Sequence, residues 1–165
     1  MKRITLSINK EELLMQMRQT MGVIASVSAL PDEQRAALTD FTDGGREELM
    51  NTYINMTWSE VLQVLEAYSR SMSCCDDFAS NAYKEKDGYR VTLLMPVTFH
   101  EPALQGLIQN VQEYMVASAL GRYLLLVNRE EALVFTGKAE EARKQIRRFL
   151  DSRVRPARVR PFPNW

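Results

Sequence analysis

The residues of this chain whose types could do chemistry are few and scattered. Cys74-Cys75-Asp76-Asp77 is the one cluster that mixes soft and hard ligands, and His100 is the single histidine. A structural zinc site takes four ligands, with its cysteines usually two or more residues apart, so the pair reads as incidental thiols of a loop and no metal or cofactor is expected. A vicinal disulfide between them is a strained, labile alternative. His100 stands beside Glu101-Pro102 at a helix start, where a neutral imidazole serves as a cap or a loop contact. No Ser or Cys nucleophile motif accompanies it to make it a general base. The carboxylate pairs Glu47/Glu48, Glu130/Glu131 and Glu140/Glu141 are adjacent in sequence, and adjacent helical residues diverge around the axis, so none forms an acid–base dyad. Asp43-Gly-Gly-Arg46 precedes a helix, but it lacks the spacing of a nucleotide-binding loop and reads as a turn with an N-cap. No catalytic site is expected.

The strongest feature is the basic end, Arg153-Val-Arg-Pro-Ala-Arg-Val-Arg-Pro-Phe-Pro-Asn-Trp165. Its three prolines exclude a continuing helix and favour extended chain, along which arginines reach phosphate or carboxylate groups on both sides. Val154, Val159, Phe162 and Trp165 add apolar anchors, and Trp and Arg are the residues that most often dominate interfaces. The expected partner-binding residues are therefore Arg153, Arg155, Arg158, Arg160, Phe162 and Trp165. The competing reading packs this tail along the protein's own acidic body.

That body is acidic because the net charge of zero hides an asymmetry. Residues 143–160 hold eight basic side chains and one acid, net +7, which leaves 13 basic and 20 acidic residues elsewhere, net −7. A hydrophobic share of 45% with 25% charged residues is the balance of a globular protein. Its 165 residues suffice for one domain that buries roughly two-thirds of its unfolded surface. Nine methionines suit an irregularly packed core or interface. Lys10-Glu-Glu interrupts the start before any signal-peptide apolar region forms, and the run Leu124–Val127 is far short of the roughly 20 residues of a membrane helix. Two adjacent cysteines cannot staple distant segments, so a reducing, cytoplasmic setting is expected, with no membrane partner.

The elements that must position these residues follow from periodicity. Ile4, Leu6 and Ile8 alternate with Arg3, Thr5 and Ser7, and Tyr89, Val91, Leu93 and Met95 repeat that pattern. The spacing predicts two strands, 3–8 paired with 89–95, with Pro96 placing the second at an edge. Asn9 with Glu12 predicts a capped helix running to about Ser28, burying Leu13, Met17, Ile24 and Val27. Pro31-Asp-Glu begins a shorter helix, ended by 40–45. A long helix is expected from about Arg46 to Met72 on a stripe of Tyr53, Ile54, Trp58, Val61, Leu65 and Tyr68. Residues 71–81 have no clear period and read as a loop or frayed helix end.

Pro102 opens a helix with Leu104, Ile108, Val111, Met115 and Ala119 on one stripe, widened by Leu107, Tyr114 and Tyr123. Asn128-Arg-Glu-Glu131 is a second capping box, followed by Ala132, Phe135, Ala139, Ala142, Ile146 and Phe149 at steps of three and four. A β-hairpin of 122–127 with 132–136 competes for this region. The stripe passes Gly137 without losing phase, which favours helix–kink–helix. The expected fold is mainly α: a bundle of three to four main helices over 1–152, a small two-stranded β element, and the extended tail 153–165.

The succession of Met95-Pro96, a long helix, Asn128-Arg-Glu-Glu-Ala132, the charged run Ala139–Leu150 and Arg153-Val-Arg-Pro156 resembles small helical proteins encoded in the prophage structural clusters of Bacteroidales-type bacteria. The resemblance covers about residues 88–160 and rests on helix caps and a basic tail. It implies no catalytic residues. It implies a non-enzymatic structural or interaction protein, an oligomer-forming virion assembly component that docks on protein subunits through its tail, in the cytoplasm or the virion. The alternative is a nucleic-acid-binding module using the Arg-rich end, with a steep loss of binding as salt rises. The acidic body and the lack of a reading helix or aromatic sheet count against it.

Overall fold

Strand β1 (Lys2–Asn9) forms where the sequence alternates, and its burial alternates with it: Ile4, Leu6 and Ile8 face the core while Arg3, Thr5 and Ser7 face water. A computed structural model describes residues 1–27, 31–39, 44–69, 82–85 and 88–152 of the chain. In it β1 pairs antiparallel with β3 (Gly88–Met95), with Ile4 opposite Leu93, Leu6 opposite Val91 and Ile8 opposite Tyr89. These pairs put Ile4, Leu6, Ile8, Tyr89, Val91 and Leu93 on one face, which is what pins the register, while Leu94 lies on the other face opposite Arg3. The expected pairing of 3–8 with 89–95 is the one observed.

A third strand, β2 (Ala82–Glu85), pairs antiparallel with the other side of β3, so the sheet order is β1-β3-β2. The edge position expected for 89–95 is therefore wrong: β3 is the central strand. Pro96 does not interfere because it lies one residue beyond the last paired position, Met95, where its missing N–H costs no ladder bond. Its carbonyl instead accepts a turn hydrogen bond from the Phe99 amide at 2.9 Å.

Five helices complete the described chain: α1 (Lys10–Val27), the short α2 (Asp32–Thr39), α3 (Gly44–Ser69), α4 (Ala103–Leu124) and α5 (Arg129–Leu150). Helix α1 starts without a linker because Asn9 ends the strand and caps the helix, its Oδ1 accepting from the Glu11 amide at 2.8 Å. Glu12 does not carry out the reciprocal half expected of a capping box; its carboxylate accepts from Gln112 Nε2 on α4 at 3.4 Å. The buried face of α1 is Leu13, Met17, Met21, Ile24 and Ala25. Val27, expected in that face, is exposed at the helix's last position. On α3, Ile54, Trp58, Val61 and Leu65 are buried as their spacing predicts, joined by Met50. The expected continuation of α3 to Met72 lies outside the described residues.

Helix α4 occupies the middle of the bundle because it is apolar on most sides. It buries eleven residues against six on α5, and a helix apolar on most of its surface must be covered on most of its surface. It touches α1, α3, α5 and β1. Of its expected stripe, Val111, Met115 and Ala119 are buried and Leu104 and Ile108 only partly, while Leu107, Tyr114 and Tyr123 are buried. Helix α5 runs back along α4. Gly106 meets the Phe149 ring at one end of the pair, and Gly121 meets Ala132 and Thr136 at the other. Small side chains at 132, 139 and 142 let the two backbones approach.

The β-hairpin alternative for 122–136 is thus excluded, and the expected kink is a full reversal. Leu125–Val127 make the turn through amides bonded to Gly121, Tyr123 and Leu124 carbonyls. Asn128 then caps α5, accepting from the Glu130 and Glu131 amides. The sheet's apolar face and the inner faces of the helices share one continuous core, in which the Trp58 and Tyr89 rings pack at a tilt of 39° with centroids 5.2 Å apart.

Candidate functional site

A polar residue in the middle of an apolar helix face has to be paired or has to work. Helix α4 carries Tyr114, Ser118 and Arg122 at steps of four, which aligns them along one side of the helix. Glu60 and Gln63 on α3, and Thr136, Glu140 and Arg143 on α5, come to the same place. With Gly121, Leu125 and Ala139 they wall a groove of about 450 Å³.

Glu60 is its centre. One carboxylate oxygen accepts from Arg122 Nη2 and the other from the Tyr114 hydroxyl at 2.9 Å. The ion pair is partly buried on both sides, with 29% of the arginine and 35% of the glutamate side chain exposed. It joins α3 to α4 where neither helix could bury a lone charge. Arg122 also points Nη1 toward Met56 Sδ, 3.8 Å away. Burial pushes the Tyr114 hydroxyl up to about 12; its hydrogen bond to Glu60 and that group's negative charge add to the rise, and the positive charges of Arg143 and Arg122 oppose it. Tyr114 therefore holds its proton at neutral pH and acts as a donor. The arrangement suits holding and orienting better than proton transfer, because both oxygens of its central carboxylate are already occupied.

Arg143 faces the same groove less completely paired. Its Nη1 lies 3.9 Å from Glu140 one turn earlier on α5, and its Nε is buried with no acceptor among the described residues. A buried donor left unpaired costs on the order of 1–3 kcal/mol.

Comparison with family models, with curated proteins and with solved structures finds no match to this chain.

The partner-binding residues expected from the sequence, Arg153, Arg155, Arg158, Arg160, Phe162 and Trp165, lie outside the described residues, as do Cys74-Cys75-Asp76-Asp77 and Asp43. His100 is exposed, and its carbonyl accepts from the Ala103 amide at 2.9 Å as α4 begins; α4 has no side-chain cap. Glu47 and Glu48 are exposed. Glu140 and Glu141 diverge as adjacent helical residues must: Glu140 lines the groove, while Glu141 accepts from Gln145 Nε2 at 2.8 Å. Among the described residues no group of three or more His, Cys, Asp or Glu side chains could hold a metal ion. No helix among them is long and apolar enough to cross a membrane.

Sequence reasoning missed Glu60, Tyr114, Arg122 and Arg143 as a set. Tyr114 reads as part of a core stripe, and Glu60 falls outside the apolar stripe of α3. The available signal is Ser118 and Arg122 interrupting the apolar run of α4 at helical spacing from Tyr114.

Proposed function

We propose that this chain is a non-enzymatic structural protein that works by docking onto protein subunits, its own copies among them. What supports this reading is the apolar end of the α4–α5 hairpin. Leu125 and Leu126 in the turn, and Leu133 and Val134 in the second turn of α5, are 52–68% exposed. They are four of the ten large hydrophobic residues exposed among the described residues, and all four fall within residues 125–134. Met56 of α3, near Arg122, is exposed close to the same end. Scattered exposed apolar side chains are ordinary, but a concentration of this kind marks an interaction surface.

The Arg-rich residues 153–160 follow Ser152, which the antiparallel hairpin places at the far end of α5 from this patch. In this reading they supply a second docking element. The resemblance to proteins of prophage structural clusters fits an assembly component of a virion, made in the cytoplasm.

The test is the mass of the full chain by light scattering over a range of concentrations, beside L126E/L133E and a chain ending at Ser152. The full chain is expected to exceed the monomer mass as concentration rises. The double variant, with unchanged circular dichroism, is expected to return to the monomer, and the shortened chain to associate more weakly. Unchanged mass and unchanged pull-down of tagged by untagged chain in both variants sink the reading.

A further inference from the structure

We infer that the groove between α3, α4 and α5 binds a small organic anion, a molecule carrying a carboxylate or phosphate oxyanion on an apolar body, with Arg143 as its charge anchor. The charges in the groove are not equally spent. Glu60 uses one oxygen on Arg122 and the other on Tyr114, so this carboxylate and one guanidinium neutralise each other. Arg143 remains. Its nearest carboxylate, Glu140, stands 3.9 Å away on the same helix with 60% of its side chain exposed, and such a pair is weak because water screens it.

A guanidinium offers five donors in a planar fork that matches the oxygens of a carboxylate or phosphate. The Arg143 fork has Nε–H buried with no acceptor among the described residues, while 40% of the side chain as a whole is exposed and the residue lines the groove. An oxyanion meets the outer nitrogens first. Turning the guanidinium toward the ligand then brings the Nε edge to an acceptor, so binding satisfies a donor that the free protein leaves unmet. The volume of about 450 Å³ lies within the roughly 300–1,000 Å³ of small-molecule sites and exceeds what a bare anion fills. Leu125, Gly121 and Ala139 provide the apolar wall for the remainder, and Ser118 a hydroxyl.

The experiment follows the arginine Nε–H and backbone amide resonances of the full-length ¹⁵N-labelled protein during separate titrations with benzoate, phenyl phosphate and inorganic phosphate. The Arg143 resonance is identified by its disappearance in R143K. The expected result is a saturable shift of Arg143 Nε–H and of the Ser118, Gly121 and Leu125 amides with benzoate or phenyl phosphate. Which of the two binds tighter assigns the oxyanion. R143Q is expected to weaken binding at least tenfold and R147Q, on an exposed residue of the same helix, to leave it unchanged. R143K, which keeps the charge but loses the fork, is expected to fall between them and serves if R143Q does not fold. The inference is overturned if none of the three probes gives a saturable shift, if R143Q and R147Q bind equally, or if inorganic phosphate alone binds as tightly as phenyl phosphate.

Discussion

Two tyrosines tie helix α3 to its neighbours, and both do so as protonated donors. Tyr89 donates to Asn55 Oδ1 at 2.8 Å and Tyr114 to Glu60 Oε2 at 2.9 Å. Burial pushes each hydroxyl up to about 12, from an ordinary value near 10. The unfolded chain therefore loses these protons first. Between about pH 10 and about pH 12 the folded state binds more protons than the unfolded state, so stability must fall as pH rises through that window. The rise from near 10 to about 12 corresponds to about 3 kcal/mol for each tyrosine. Urea unfolding from pH 9 to pH 12 is expected to show this decline. In Y89F/Y114F the decline should be much shallower, although the variant starts from a lower stability because it lacks two hydrogen bonds. An equally steep decline in the double variant contradicts this account. None of this was legible in the sequence, where Tyr89 and Tyr114 read only as apolar members of a strand face and a helix stripe.

At the scale of the elements, two glycines in different settings give opposite expectations. Gly88 begins β3 opposite Asn9, and a Cβ there would lie 2.5 Å from the Ile8 carbonyl oxygen. That oxygen is backbone of a paired strand and cannot give way without breaking the register. Gly88→Ala is expected to destabilise by about 1–3 kcal/mol. Gly137 sits on the exposed side of α5 with nothing within 4 Å of its would-be Cβ. Gly137→Ala is expected to stabilise by roughly 1 kcal/mol, because alanine loses less backbone entropy on entering a helix. Urea midpoints of the two variants check both signs; a stabilised Gly88→Ala or a destabilised Gly137→Ala contradicts the packing described. Most elements were legible because their signals are local: alternation for β1 and β3, caps at Asn9 and Asn128, and stripes on α1, α3 and α5. The place of β3 between two partners was not, because residues 82–85 carry too short a pattern to announce a strand.

For the whole molecule, the core runs without a break from the sheet through α1, α3 and α4 to α5. Helix α4 is its axis, and no described element has a separate core of its own. Such a chain is expected to unfold as one unit. Trp58, 4% exposed and packed against Tyr89, reports from the sheet–helix boundary, while far-UV circular dichroism reports on all the helices. In a W165F background, where Trp58 is the remaining tryptophan, the two transitions are expected to coincide in urea. Separate midpoints would show that the α4–α5 hairpin or the sheet melts alone. The groove belongs to this scale as well, since it exists only where three helices converge.

The amino-acid order by itself determined the elements: which stretches alternate, which carry a 3.6-residue stripe, and where an Asn stops one element and starts the next. Those properties depend on residues within a turn or two of each other. The tertiary structure decided that β3 lies inside the sheet, that α5 reverses along α4, and that an anion-suited groove forms between helices. Glu60 meets Arg122 at a sequence separation of 62 and Tyr114 at one of 54. No periodicity spans such distances. They close because burying the apolar faces of α3 and α5 against α4 brings these polar side chains together along one side of it.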